Sequence, residues 1–170
     1  MTRLRRQFLL LGLMLLGLLG ASGSAQALCI TGVCSCTTVT TNVAFGSYSP
    51  LAFGNTDSTG SVQVSCGGVV GLLIPFKIDL SAGSGASYAT RQMKSGSNAL
   101  NYNLYTDASY TTIWGDGSGA SQSVLGGVTL DVLGLAPAQT FWVYGRLPGR
   151  QLTAVPGVYS DLINITLTYY

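Results

Sequence analysis

Four cysteines, at positions 29, 34, 36 and 66, are the residues of this 170-residue chain best suited to chemistry, and their surroundings narrow that chemistry to covalent bridging. Tetrahedral zinc ligation wants two closely spaced Cys or His pairs, and the chain has no His and only one Cys cluster with a single distant member. An even cysteine count in an exported chain points instead to two disulfides. Cys34 and Cys36 stand too close to bond each other comfortably, so three pairings are open: Cys29–Cys34 with Cys36–Cys66, Cys29–Cys66 with Cys34–Cys36, and the crossed set. The first is preferred. Cys66 ends the alternating run Ser61-Val-Gln-Val-Ser-Cys66, and a bridge to Cys36 closes a loop of about 30 residues, worth on the order of 3 to 4 kcal/mol.

Ser and Asp are plentiful, but without His or Glu the usual nucleophile–base pair cannot be assembled, and no Gly-x-Ser-x-Gly elbow stands at a strand-to-helix turn. The run Asp116-Gly-Ser-Gly-Ala120 lacks the lysine of a phosphate loop and the spaced acids of a calcium loop, and reads as a hairpin loop. No catalytic residue, metal centre or cofactor is therefore expected. Tyr105, Tyr110, Trp114 and Trp142 are candidate surface-contact aromatics, suited to stacking on sugars or inserting into apolar surfaces, with core packing and cross-strand pairing as the plainer alternative.

The elements that must carry these residues begin with an export signal. Arg3, Arg5 and Arg6 precede an apolar run from Phe8 to Leu19, and Ala25-Gln-Ala27 supplies a small-x-small cleavage site, so residues 1–27 are read as a signal peptide that is removed. The run is interrupted by Gly12 and Gly17 and is shorter than the roughly 20 apolar residues of a membrane span. Arg5-Arg6 also fits a twin-arginine signal, though so apolar a core suits the general secretory route better. What remains, residues 28–170, is one domain in which Lys77, Arg91, Lys94, Arg146 and Arg150 nearly balance Asp57, Asp79, Asp107, Asp116, Asp131 and Asp161. No positive face is clustered enough to neutralise a row of phosphates, which excludes nucleic acid as the expected partner.

Period-two alternation recurs along this domain, divided by Gly, Ser and Pro turns, and predicts roughly seven strands in a β-sandwich with no helix. Ile74, Phe76, Ile78 and Leu80 share one face, with Pro75 marking an edge or a bulge. Leu100, Tyr102 and Leu104 share another; Val128 to Leu135 and Phe141 to Arg146 are further strands. The longest prediction is the last: from the turn at Pro156-Gly157 a strand runs to the chain's end, with Tyr159, Ile163, Ile165, Leu167 and Tyr169 on one face. No later segment follows to cover its outer side, so that edge is to be blunted, covered or offered to another chain.

Phe45-Gly-Ser-Tyr48, Ser65-Cys66, Arg91-Gln-Met93, Leu100-Asn-Tyr-Asn-Leu-Tyr-Thr-Asp107, Trp114-Gly115, Tyr144-Gly-Arg-Leu-Pro148 and Gly157-Val-Tyr-Ser-Asp161 with the terminal Thr-Leu-Thr-Tyr169 form an ordered series. Together they resemble the spore coat protein U domain, the domain of Csu-type pilins. The resemblance implies an incomplete immunoglobulin-like sandwich that lacks one strand and is completed by donor-strand complementation. It further implies a periplasmic chaperone, an outer-membrane usher and neighbouring pilin subunits as partners, and a final place in thin surface fibres used for attachment and biofilm formation. The assembly strand and groove would be formed by Tyr159, Ile163, Ile165, Leu167 and Tyr169, where backbone hydrogen bonds give affinity and alternate side chains give register. Fibre-body subunits of this family carry a donor extension before the first conserved Cys. Here Leu28 to Ser35 precede Cys36, and a Cys29–Cys34 bridge would close that segment into a loop. The expected position is thus a tip or minor subunit that accepts a strand without donating one. A spore coat or matrix protein built on the same fold is the alternative.

Overall fold

The computed structural model describes residues 34–170 apart from positions 70, 72, 132 and 134. The predicted signal segment and Cys29 lie outside these residues, and with them the preferred Cys29–Cys34 bridge; Cys34 itself is disulfide-bonded. The regular elements are β1 (Cys34–Thr41), β2 (Thr56–Gly68), β3 (Leu73–Leu80), β4 (Arg91–Ser95), β5 (Asn98–Tyr105), β6 (Ile113–Trp114), β7 (Ser121–Gln122), β8 (Val124–Thr129), β9 (Gln139–Leu147) and β10 (Ile165–Tyr169), with one 3-10 turn at Gly83–Gly85. No helix among the described residues is long and apolar enough to cross a membrane.

Two sheets face each other. The larger runs β1-β2-β9-β5-β6-β7, with β4 added to β5, and the smaller runs β10-β3-β8. Every pairing is antiparallel except β6 with β7. The alternation that predicts each strand also fixes its inward face, because a one-residue slip would expose every apolar side chain. Val62, Val64 and Cys66 on β2, Ile74, Phe76, Ile78 and Leu80 on β3, and Leu100, Tyr102 and Leu104 on β5 are all buried between the sheets. Each large apolar side chain so buried contributes about 1.5–3 kcal/mol. The Phe76 ring meets Phe141 of β9 edge to face at 5.8 Å. Gly126 on β8 makes room for that pair, since a Cβ there would lie 2.5 Å from Phe76 and 3.0 Å from Phe141. Cys36 stands directly opposite Cys66 in the β1–β2 register and is bonded to it, as preferred from the spacing.

Four expectations are corrected. The terminal strand is shorter than predicted. Ser160 bridges Lys94 of β4 in the larger sheet, Asn164 and Ser81 then meet backbone to backbone, and only Ile165–Tyr169 pairs continuously with β3. The chain crosses from one sheet to the other between Ser160 and Asn164, which breaks the ladder. Pro75 lies neither on an edge strand nor at a bulge, because β3 is the middle strand and its register to both neighbours is unbroken. Its carbonyl accepts from Tyr170 N–H at 3.1 Å, so its missing N–H faces the last residue of the chain, where the ladder ends. The strand predicted from Val128 to Leu135 lies earlier, at Val124–Thr129. Trp114 is no surface aromatic: it is fully buried, and its indole N–H donates to the Ile78 carbonyl at 3.1 Å, tying the two sheets together.

Candidate assembly groove

The edge of the smaller sheet is open at β10. Tyr170 N–H bonds Pro75 C=O and Ser81 N–H bonds Asn164 C=O, so the even-numbered residues of this segment turn their backbone groups toward β3. In an antiparallel ladder the intervening residues face the other way. Ile165, Leu167 and Tyr169 therefore direct N–H and C=O outward, where no strand pairs with them among the described residues. Their side chains, with those of Tyr159 and Ile163, point inward and are half-buried against the core. The opposite edge of the same sheet is treated differently. Gly127 of β8, paired with Pro75, turns its carbonyl away from β3, and there the Gln139 side-chain amide caps it at 2.8 Å.

A trough runs along residues 155–165 and reaches β10 at Ile165. Its far wall is the irregular segment 42–48 that follows β1, where Val43 and Phe45 pack onto β9. Gly145 permits that approach, since a Cβ would stand 2.5 Å from Val43 and 2.8 Å from the Phe45 ring. Phe45 in turn meets the Tyr102 ring edge on at 6.0 Å. One cleft of about 480 Å³ lies between this segment and residues 159–165, over a floor of Val62, Leu80, Tyr102, Leu104 and Val143. A second, of about 650 Å³, continues past Phe45 and Tyr159 over Met93, Leu100 and Leu147. The trough is thus elongated, with a mainly apolar floor, and meets the outward backbone of β10 at Ile165. β1 also ends the larger sheet, but there Thr37 to Thr41 are exposed on both faces, with Val39 as the one large apolar side chain among threonines.

A polar network holds the floor in place. Arg91 on β4 is fully buried and forms no ion pair with a carboxylate among the described residues. Its guanidinium donates to Ser81 C=O at 3.1 and 2.9 Å, to Trp114 C=O at 2.6 Å and to Asn103 Oδ1 at 2.8 Å. Burial lowers its pKa from the ordinary value, with neighbouring Tyr102 partly opposing that effect. Asn103 passes the connection on, donating to the carbonyls of Tyr88 and Ala89. Beside it, Asp161 accepts from Tyr102 O–H at 2.7 Å and from Ser84 N–H and Oγ–H at 2.8 and 2.6 Å. Burial, reinforced by the bond to Asp161, pushes the Tyr102 phenol well above its usual range. Asp161 thereby anchors the entry to β10.

Tyr159, Ile163, Ile165, Leu167 and Tyr169 line one side of the sandwich as a continuous inward row, although only the last three are in β10. Tyr159 exchanges hydrogen bonds with the Val155 backbone. Tyr105 and Tyr110 are half-buried on the outer face of the larger sheet, and Trp142 is exposed there. Sequence reasoning missed the wall at Val43 and Phe45 and the Arg91–Asn103 pair. The available signal for Arg91 was its place two residues before Met93, which puts it on an inward face. Among the described residues no group of His, Cys, Asp or Glu could hold a metal ion.

Comparison with known proteins sets this architecture in a family. Residues 22–166 match the model of the Spore Coat Protein U domain. The chain is 32% identical over 135 residues to "Protein U" of Myxococcus xanthus, covering 74% of this chain and 70% of that protein. Its fold is similar to that of a chain in the CsuC–CsuE chaperone–tip adhesion subunit pre-assembly complex from archaic chaperone–usher Csu pili of Acinetobacter baumannii. That likeness has a TM-score of 0.51 at 19% identity, covering 79% of this chain and 39% of the other. From an all-β fold with this open edge and a match across most of its length, the chain belongs to the Spore Coat Protein U domain family.

Proposed function

We propose that residues 28–170 form, once a signal peptide at 1–27 is removed, a subunit of a chaperone–usher surface pilus that accepts a strand from another polypeptide along β10. The observation that carries this reading is the coincidence, on one edge, of outward backbone groups at Ile165, Leu167 and Tyr169 with a half-buried apolar row whose first members, Tyr159, Ile163 and Ile165, line a trough. An added strand would satisfy the first and cover the second in one step. A periplasmic chaperone would supply that strand in transit, an outer-membrane usher would exchange it, and a neighbouring subunit would replace it at the cell surface. A tip or minor position, serving attachment and biofilm formation, is supported by the commitment of Cys34–Thr41 to β2, pinned by Cys36–Cys66, which leaves those residues unable to act as a donor. The likeness to a complex containing a tip adhesion subunit agrees with that position. A spore coat role is the second reading, favoured by the relative named Protein U.

Amide exchange tests the strand-accepting role residue by residue. Before a partner is added, the amides of Ile165, Leu167 and Tyr169 exchange fast while those of Thr166 and Thr168 are protected; co-purification with the chaperone then protects the odd-numbered set. Odd-numbered amides already as slow as their neighbours in the isolated chain would remove the proposal. Immunogold labelling separates the finer positions: label at fibre ends supports a tip, label along the shaft refutes it, and label on a coat without fibres favours the second reading.

A further inference from the structure

The outer face of the larger sheet carries a second surface, remote in character from the trough. On β9 the outward residues Trp142, Tyr144 and Arg146 stand opposite Ser61, Thr59 and Asp57 of β2. Trp142 is 56% exposed while the chain's other Trp, Trp114, is fully buried. Tyr105 pairs with Tyr144 across β5 and β9, and Tyr110 completes the cluster, its ring 5.5 Å from Tyr105 and 6.4 Å from Tyr144. Tyr110 reaches that place with φ of 58°, in the left-handed region that disfavours a bulky residue. Asp107 holds the loop in this shape by accepting from the N–H groups of Thr111 and Thr112. Strain maintained by a designed loop on a solvent-facing aromatic is a pointer to use.

Charge and shape narrow the partner. Arg146 on this face lies 3.6 Å over the Tyr110 ring and donates from Nε and Nη2 to the two carboxylate oxygens of Asp57 at 2.7 Å, so the two charges offset each other and the face carries little net charge. Around the rings the strands present hydroxyls and amides in rows: Thr41 bonds Ser61 at 2.9 Å and Gln63 reaches Thr140 at 3.4 Å. The register from β1 through β2 to β9 is unbroken, so these groups lie on one continuous sheet face. Neutral charge, aromatic faces and rows of small hydrogen-bonding groups on a plane match a polymer whose own surface alternates C–H faces and hydroxyls. We propose that this face binds a neutral polysaccharide, with Trp142 and Tyr144 stacking on sugar rings and Thr41, Ser61 and Gln63 bonding sugar hydroxyls.

Because Trp114 is inaccessible, acrylamide quenching of the full chain reports Trp142 alone. Purified full chain is incubated with cellulose, chitin or soluble mannan, with alginate and polystyrene beads as competing classes. At least one neutral polymer retains the protein and shields its emission from acrylamide. Trp142→Ala weakens retention about five- to tenfold, as expected for one lost stacking platform, and Trp142→Phe restores part of it. Circular dichroism checks that these exposed substitutions leave the fold intact, and Tyr144→Ala provides a second, independent loss. Equal retention of wild type and both alanine variants overturns the proposal. So does retention by alginate, polystyrene or a protein partner alone, with none on the neutral polymers.

Discussion

Arg91 offers the sharpest test of what holds the trough's floor. Replacing it by Met keeps most of the volume and removes the guanidinium. Two opposed effects then compete. Relief from burying a cation without a carboxylate partner favours the variant, and hydrophobic replacement of buried charges is sometimes neutral or stabilising for that reason. Against it, the carbonyls of Ser81 and Trp114 lose the side-chain donors they have in the structure. Each buried acceptor left unpaired costs about 1–3 kcal/mol, so the two together cost about 2–6 kcal/mol, a large part of an ordinary domain's stability. Asn103 Oδ1 suffers less, since it still accepts from Leu104 N–H at 2.9 Å. The orphaned carbonyls should prevail, with Arg91→Met less stable by about 3 kcal/mol and Arg91→Lys by somewhat less, because an ammonium cannot span three acceptors as the planar fork does. Urea unfolding in a Trp142→Phe background, where emission comes from Trp114 alone, measures both, the reporter being in the network itself. An Arg91→Met midpoint equal to wild type would refute the reasoning and show that desolvation cancels the hydrogen bonds.

Further outcomes follow from other parts of the fold. Replacing Cys36 and Cys66 by Ser opens a loop whose ends are 30 residues apart, and should cost about 3.6 kcal/mol in the chain-entropy model, read as a lower urea midpoint under oxidising conditions. Ile165→Asp places a charge in the half-buried inward row and should abolish periplasmic accumulation, whereas Thr166→Ser, on the exposed face, should leave it unchanged by immunoblot. Asp57, Asp107 and Asp116 are held below the ordinary carboxylate value of 3.8, by the Arg146 guanidinium, by the Thr112 N–H and by Ser118 respectively. Their depressed folded-state pKa values contribute stability present above 3.8 and lost as pH falls through the lower folded values. The melting temperature should accordingly be flat from about pH 5 to 7 and fall in acid, since no His titrates between, and a step near pH 6.5 would contradict this.

How far the sequence disclosed this arrangement depends on whether the signal was local. Ile74, Phe76, Ile78 and Leu80 alternate without a fault, and β3 lies where the alternation puts it. The Cys36–Cys66 bridge was legible because Cys66 closes an inward-facing run. Pro75 misled because its cost depends on which neighbour its missing N–H faces, and only the topology reveals that it faces Tyr170, just past the paired span of β10. Tyr159 and Ile163 keep the alternation of β10 but not its pairing, since Ser160 is drawn to Lys94, eleven elements of loop and strand away in no periodicity. Trp114 and Trp142 are alike in composition and opposite in burial, a difference set by β6 crossing to Ile78. Arg91 was the hardest: a charged residue reads as solvent-facing until three separate segments are seen to aim carbonyl and amide oxygens at one point.

The two edges of the smaller sheet make the strongest case that the opening at β10 is kept rather than merely tolerated. The strands are of similar length, five residues in β10 and six in β8, so length does not distinguish the two edges. At β8 the outward carbonyl of Gly127 is bonded by Gln139, a side chain placed for it at the start of β9. At β10 the outward groups of Ile165, Leu167 and Tyr169 find no such cap among the described residues, and the residues of the strand itself include no Lys, Arg or Pro of the kind that deters edge pairing. Beneath them Asp161, Tyr102 and Ser84 fix the approach to the strand, while Gly145 lets Val43 and Phe45 pack closely on β9 as the far wall. The contrast between a bonded outward carbonyl at β8 and outward groups without a described partner at β10 is what the proposed strand-accepting role rests on.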